Sequence, residues 1–115
     1  MELELKRGGR TARVETLGGE LVSYRDERGL EYIWGGDPAY WPGRNPLLFP
    51  IVGMLKEGKI RFDGREYAME RHGFARRREF TPAARGEDWV RLELRESAET
   101  LALYPYPFQI GRAHV

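Results

Sequence analysis

Cysteine is absent, so neither disulfides nor thiolate metal sites are available to this chain. Histidine is scarce: His72 and His114 are the only two, 42 positions apart, which leaves no metal-ligand cluster. An excess of either charge is also missing. Nineteen basic residues face eighteen acidic ones, for a net charge of +1. A domain that grips nucleic acid over its whole surface shows a clear basic excess, so that class is disfavoured. No apolar run approaches the ~20 residues of a membrane-spanning helix, and the opening "MELELKRGGR" has no signal-peptide hydrophobic stretch. The expectation is a cytoplasmic protein with no metal, no nucleic-acid partner and no membrane partner.

What is present is β-patterning over a length of one domain, 115 residues. "ELELK" and "RTARVETL" alternate apolar and polar residues with period two, as half-buried strands do. "ELVSYRD" follows the Gly18-Gly19 turn, and "LEYIW" follows a turn at Arg28-Gly29. In "KIRFDGREYAM" two alternating runs flank Asp63-Gly64, a pair that a type I′ hairpin favours because both central positions need positive φ. "DWVRLELRE" puts Val90, Leu92 and Leu94 on one face. "SAETLALYP" is the one helical candidate, stopped before Pro105.

Gly35 to Gly53 is different: four prolines and four glycines in "GGDPAYWPGRNPLLFPIVG". Proline removes a ladder donor, so the segment reads as a long ordered loop ending in a short buried run, "LLFPIVG". Ordered loops of this length are often functional. Past "YPYPFQ" no return strand is visible, which points to an incomplete sandwich.

"RHGFARRREF", Arg71 to Phe80, concentrates four arginines around His72. Arg44, beside Asn45 and just ahead of the apolar run, suits a side chain turned into a pocket, because a guanidinium fork grips two oxygens together. Some of the arginines around Arg76 must merely solvate a sheet edge, and Glu79 is placed to pair with one of them at the surface. Trp34 reads as a loop anchor, while Tyr40 and Trp41 stay open between anchoring and stacking on a ligand. Phe74 is expected to pack inward and fix the backbone that presents His72. Gly73 fits a point where the chain approaches a ligand closely.

Three features carry a family resemblance: "GGELVSY" followed by "EYIWGGDPAYW", an arginine just before "PLLFPIVG", and "HGFAR" after a strand hairpin. From about Leu17 to Phe108 the sequence resembles the aldose 1-epimerase (galactose mutarotase-like) superfamily, in its LacX-like branch near the hexose-6-phosphate mutarotases. The resemblance implies an all-β fold, the N-terminal part of a large antiparallel β-sandwich, left incomplete here. It implies anomer interconversion of an aldose or sugar phosphate by general acid/base ring opening, with no cofactor. It carries sugar binding to His72, Arg44 and Arg76, and leaves the main acid and the base to later strands. On this reading residues 1–109 are part of one sandwich domain and the chain by itself is inactive and poorly soluble. A non-catalytic carbohydrate-binding β-domain is the alternative, and a small nucleic-acid module is the weakest of the three.

The ending, "QIGRAHV", fits no preceding pattern. The codons CAG-ATC-GGA-AGA-GCA-CAC-GTC would encode it, and from their second base that string begins a common sequencing adapter. Residues 110–115 are therefore expected to be a non-native tail, with no role for His114.

Overall fold

The computed structural model describes residues Met1–Val115. Three strands, β1 (Glu2–Arg7), β2 (Arg10–Glu15) and β3 (Glu20–Arg25), form an antiparallel sheet in the order β1-β2-β3. Period-two patterning sets the register: Leu3 pairs with Val14 and Leu5 with Ala12, so one face is apolar. A hairpin of β4 (Lys59–Phe62) and β5 (Arg65–Ala68) follows. Its turn residues have φ of 50° at Asp63 and 76° at Gly64, the primed geometry expected from their identity. The second three-stranded sheet holds β6 (Thr81–Arg85), β7 (Val90–Arg95) and β8 (Gln109–His114), with β7 in the middle.

Both three-stranded sheets contribute to one core. Leu3, Leu5 and Val14 of the first join Val90, Leu92 and Leu94 of the second in a single buried cluster that also takes in Ala75 and Phe80. Val90 and Leu92 are wholly buried and Leu94 is 8% exposed, as their alternation requires. The molecule is nevertheless flat, measuring 55 × 34 × 17 Å. Its radius of gyration is 16.4 Å, against about 13 Å for a compact domain of this length. This is the outline of a partial sandwich.

The helical candidate is a single turn, α1 (Ala98–Leu101). Ser97 caps it: the Ser97 hydroxyl accepts from the Thr100 N–H at 3.2 Å, and the Thr100 hydroxyl accepts from the Ser97 N–H at 2.8 Å.

Three expectations are corrected, and one strand is added that the sequence reading did not name. "LEYIW" is not a strand; only Glu31 bridges, to Arg25. Its carboxylate instead accepts from the Ser23 hydroxyl and from the Tyr24 and Ile33 amides. The "LLFPIVG" run is half-buried rather than buried, and Val52 is exposed. Thr81–Arg85 forms a strand despite Pro82, beside a register irregularity between Pro82 and Ala84. A return strand does exist, since β8 pairs along all of β7.

Candidate functional site

The Thr16–Leu21 turn organises the region. Two segments lie against it, 44–53 from the Pro/Gly-rich loop and 72–80 from the arginine stretch. On one side a single Glu20 carboxylate oxygen, Oε1, accepts two consecutive amides, Arg44 N–H at 2.8 Å and Asn45 N–H at 2.6 Å. The Asn45 side chain bonds both main-chain groups of Leu21, Oδ1 accepting from its N–H and Nδ2 donating to its C=O. On the other side the Gly18 N–H donates to the Arg78 carbonyl and the Phe80 N–H to the Thr16 carbonyl. The two segments also meet each other. The Phe49 carbonyl accepts from the Phe74 N–H at 2.9 Å and the Ala75 N–H at 3.2 Å.

Arg44 is half-buried. Its Nη2 donates to the Gly35 carbonyl at 2.8 Å. Arg76 follows Ala75 in a 3-10 turn, Ala75–Arg77, and its Nη2 donates to the Arg71 carbonyl at 3.2 Å. In both residues Nε is buried with no protein acceptor, and these are the only two such side-chain atoms in the chain. Buried donors are nearly always satisfied, so each exception calls for an explanation.

His72 has φ of 64°, unusual for a residue with a side chain. Its N–H donates to the Gly53 carbonyl at 2.8 Å, while the Gly53 N–H donates to its ring Nδ1 at 2.8 Å. A ring nitrogen that accepts carries no hydrogen, so the neutral ring is protonated at Nε2 and presents that atom as a donor.

The neighbours sort differently from expectation. Gly73 is indeed at a close approach, but to protein: an added Cβ would lie 2.6 Å from Pro50 N and nearer still to the Phe49 carbonyl. Glu79 pairs with no arginine. It accepts from the Thr16 hydroxyl and lies 3.8 Å from the α-amino group. Arg77 pairs with Glu70 at 2.8 Å and Arg78 with Glu99, both at the surface, where such pairs add little. Phe74 packs inward as expected, 5% exposed and edge-on to Phe49. Trp34 anchors its loop through Nε1, which donates to the Trp41 carbonyl, while Tyr40 at the loop tip is 83% exposed.

Two cavities on the molecule are lined without Arg44, His72 or Arg76. One, of 710 Å³, lies beside β1 and β2. The other, of 370 Å³, is lined by Met69, Glu70, Phe74, Arg77 and Arg78 among others. Arg44 and Arg76 thus lie on the two segments that the Thr16–Leu21 turn holds, and His72 ties the second of these to Gly53. Glu20 and Asn45 escaped the sequence reading, because nothing local marks a carboxylate whose partners lie 24 and 25 residues away. No helix is long and apolar enough to cross a membrane.

These features define an antiparallel β-sandwich segment of the galactose mutarotase type. A galactose mutarotase related enzyme from Lactobacillus acidophilus superposes with a TM-score of 0.95 at 26% identity, covering 100% of this chain and 39% of that one. A galactose mutarotase-like protein from Lactobacillus casei gives 0.93 at 27% identity, over 98% and 39% of the two chains. The sequence profile of the aldose 1-epimerase family matches residues 1–111, and the chain belongs to that family. Protein LacX of Lactococcus lactis subsp. lactis is 40% identical in its plasmid form and 39% in its chromosomal form, over 96% of this chain. The chain spans 38% of the length of those relatives.

Proposed function

We propose that this chain supplies one wall of the sugar site in an aldose 1-epimerase-like isomerase, which interconverts the α and β anomers of an aldose or sugar phosphate. The observation that carries the reading is the placement of two half-buried arginines, Arg44 and Arg76, each with one guanidinium arm tied to a main-chain carbonyl, on the two segments that the Thr16–Leu21 turn holds. Hydroxyl or phosphoryl oxygens of a sugar are acceptors suited to guanidinium forks. His72 adds an Nε2–H donor held in orientation by the Gly53 amide. None of the three removes a proton in this scheme; they bind and orient.

Anomer exchange needs a carboxylate to take the proton of the anomeric hydroxyl and an acid to protonate the ring oxygen, after which the ring opens, C1 rotates and the ring closes on its other face. We assign both groups to later strands of a longer protein. The reaction consumes no cofactor. On the same reading residues 1–109 are the native portion, 110–115 are an adapter-derived tail, and the protein acts in the cytoplasm.

Polarimetry of freshly dissolved α-anomer tests this. A full-length protein carrying this segment is expected to accelerate equilibration, and Arg44→Ala to cut kcat/KM about tenfold, equivalent to ~1.4 kcal/mol. The 115-residue chain alone is expected to give no acceleration. Sugar binding without acceleration by the full-length protein would overturn the enzymatic reading in favour of a binding domain.

A further inference from the structure

We infer that Glu20 and Asn45 are positioning residues for the sugar-binding arginine, acting through Arg44 and touching no substrate themselves. This rests on the proposed role of Arg44 in sugar binding. Arg44 sits in a segment rich in proline and glycine that forms no ladder with a neighbouring strand until Phe49 bridges Gly73. Nothing regular in that segment fixes the direction of its side chains. The fixing comes from outside: Glu20 Oε1 holds the amides of Arg44 and Asn45 together. A carboxylate accepting two adjacent N–H groups is a charge-assisted clamp, stronger than bonds between neutral groups. Asn45 closes the other side by pairing with Leu21 through both ends of its amide, as a strand residue would through its backbone.

The Arg44 backbone is therefore pinned to β3 at its own amide and at the next residue. Only the side-chain torsions stay free, and the Gly35 carbonyl takes one terminal donor. A guanidinium held in this way reaches a ligand with less ordering left to do, which is the general advantage of a pre-organised site. Arg112 also donates to Asn45, at 2.8 Å to its carbonyl and 2.7 Å to Oδ1. It lies in the segment read as foreign, and the clamp from Glu20 and Leu21 stands without it.

The experiment is a double-mutant cycle in a full-length protein carrying this segment, with KM and kcat read separately by polarimetry. Glu20→Ala is expected to raise KM about fivefold to tenfold with kcat within twofold. The double variant Glu20→Ala/Arg44→Ala is expected to be no worse than Arg44→Ala alone, because the two act through one contact. Glu20→Gln keeps an acceptor oxygen and is expected to recover most of the lost affinity. Additive losses in the double variant, or an unchanged KM in Glu20→Ala, would overturn the positioning role. If Arg44→Ala itself changes nothing, the sugar-binding reading of Arg44 fails, a separate outcome that also removes the ground for this inference. Should Glu20→Ala not fold, Asn45→Ser, which keeps the main-chain bonds to Glu20 and releases the side-chain bonds to Leu21 and Arg112, takes its place in the cycle with the same expected non-additivity.

Discussion

Replacing Gly73 by alanine isolates the cost of the contact that joins the His72 segment to the 44–53 loop. Two penalties combine. The residue has φ of 73°, where a side chain costs about 1–2 kcal/mol. The new Cβ would also be placed 2.6 Å from Pro50 N and closer to the Phe49 carbonyl, so the backbone must part. Parting it strains the two hydrogen bonds that the Phe49 carbonyl accepts from Phe74 and Ala75, worth about 1 kcal/mol each. The sum is about 3–4 kcal/mol, a large share of the 5–15 kcal/mol that holds a typical domain together. Gly64 is the control. Its φ is 76°, yet an added Cβ meets nothing within 4 Å, so only the conformational penalty applies. Denaturant titration of both variants in a full-length protein should place Gly73→Ala about 2 kcal/mol below Gly64→Ala. Equal losses, within about 0.5 kcal/mol, would mean that the packing at Phe49 contributes nothing and that this account of the segment junction is wrong.

Glu31 should report on pH. Burial raises its pKa, but bonds from Ser23, Tyr24, Ile33 and Arg25 outweigh this and leave it at about 2. A depressed carboxyl stabilises the fold above its ordinary pKa and ceases to do so as pH falls through the folded value. Glu31→Gln is therefore expected to cost about 1–2 kcal/mol at pH 7, discounted for screening at a side chain 31% exposed. In denaturation series the gap should narrow between pH 4.5 and 2; a gap independent of pH would refute the assignment. Leu92→Ala, at a fully buried position of the central strand β7, should cost about 2–4 kcal/mol by the same assay, and a loss under 1 kcal/mol would deny the shared core of the two sheets. The tail is checked at the nucleotide level: codons for residues 110–115 other than the adapter string remove that reading.

Where local chemistry decided the outcome, the sequence was a reliable guide. The alternation of "VRLELR", the Asp63-Gly64 turn and the short helix in "SAETLALYP" each encode their geometry within a few residues, and each appears as expected. Glu31 shows the opposite case. "LEYIW" alternates like a strand, yet the carboxylate is drawn to the Tyr24 amide and Ser23 hydroxyl of β3 and to the Ile33 amide of its own segment, which curls. β6 was hidden by Pro82, which a sheet tolerates beside an irregular register. β8 was hidden because its residues look foreign; in the structure they lie along β7, whose edge would otherwise be open to any extended chain. At the candidate site, the family resemblance singled out Arg44, His72 and Arg76. The buried Nε atoms of the two arginines, the His72 tautomer and the Glu20 clamp are features of the folded chain, and no periodicity announces them.

The Thr16–Leu21 turn serves two neighbours at once, gripping Asn45 through Leu21 and Arg78 through Gly18. Lengthening it by one residue could satisfy one side only by tearing away the other. The Gly29 bend meets no such constraint, since open space surrounds it. Among kindred sequences, insertions should accumulate at the bend and be excluded from the turn, so that indel placement alone becomes a record of which loop holds the site together.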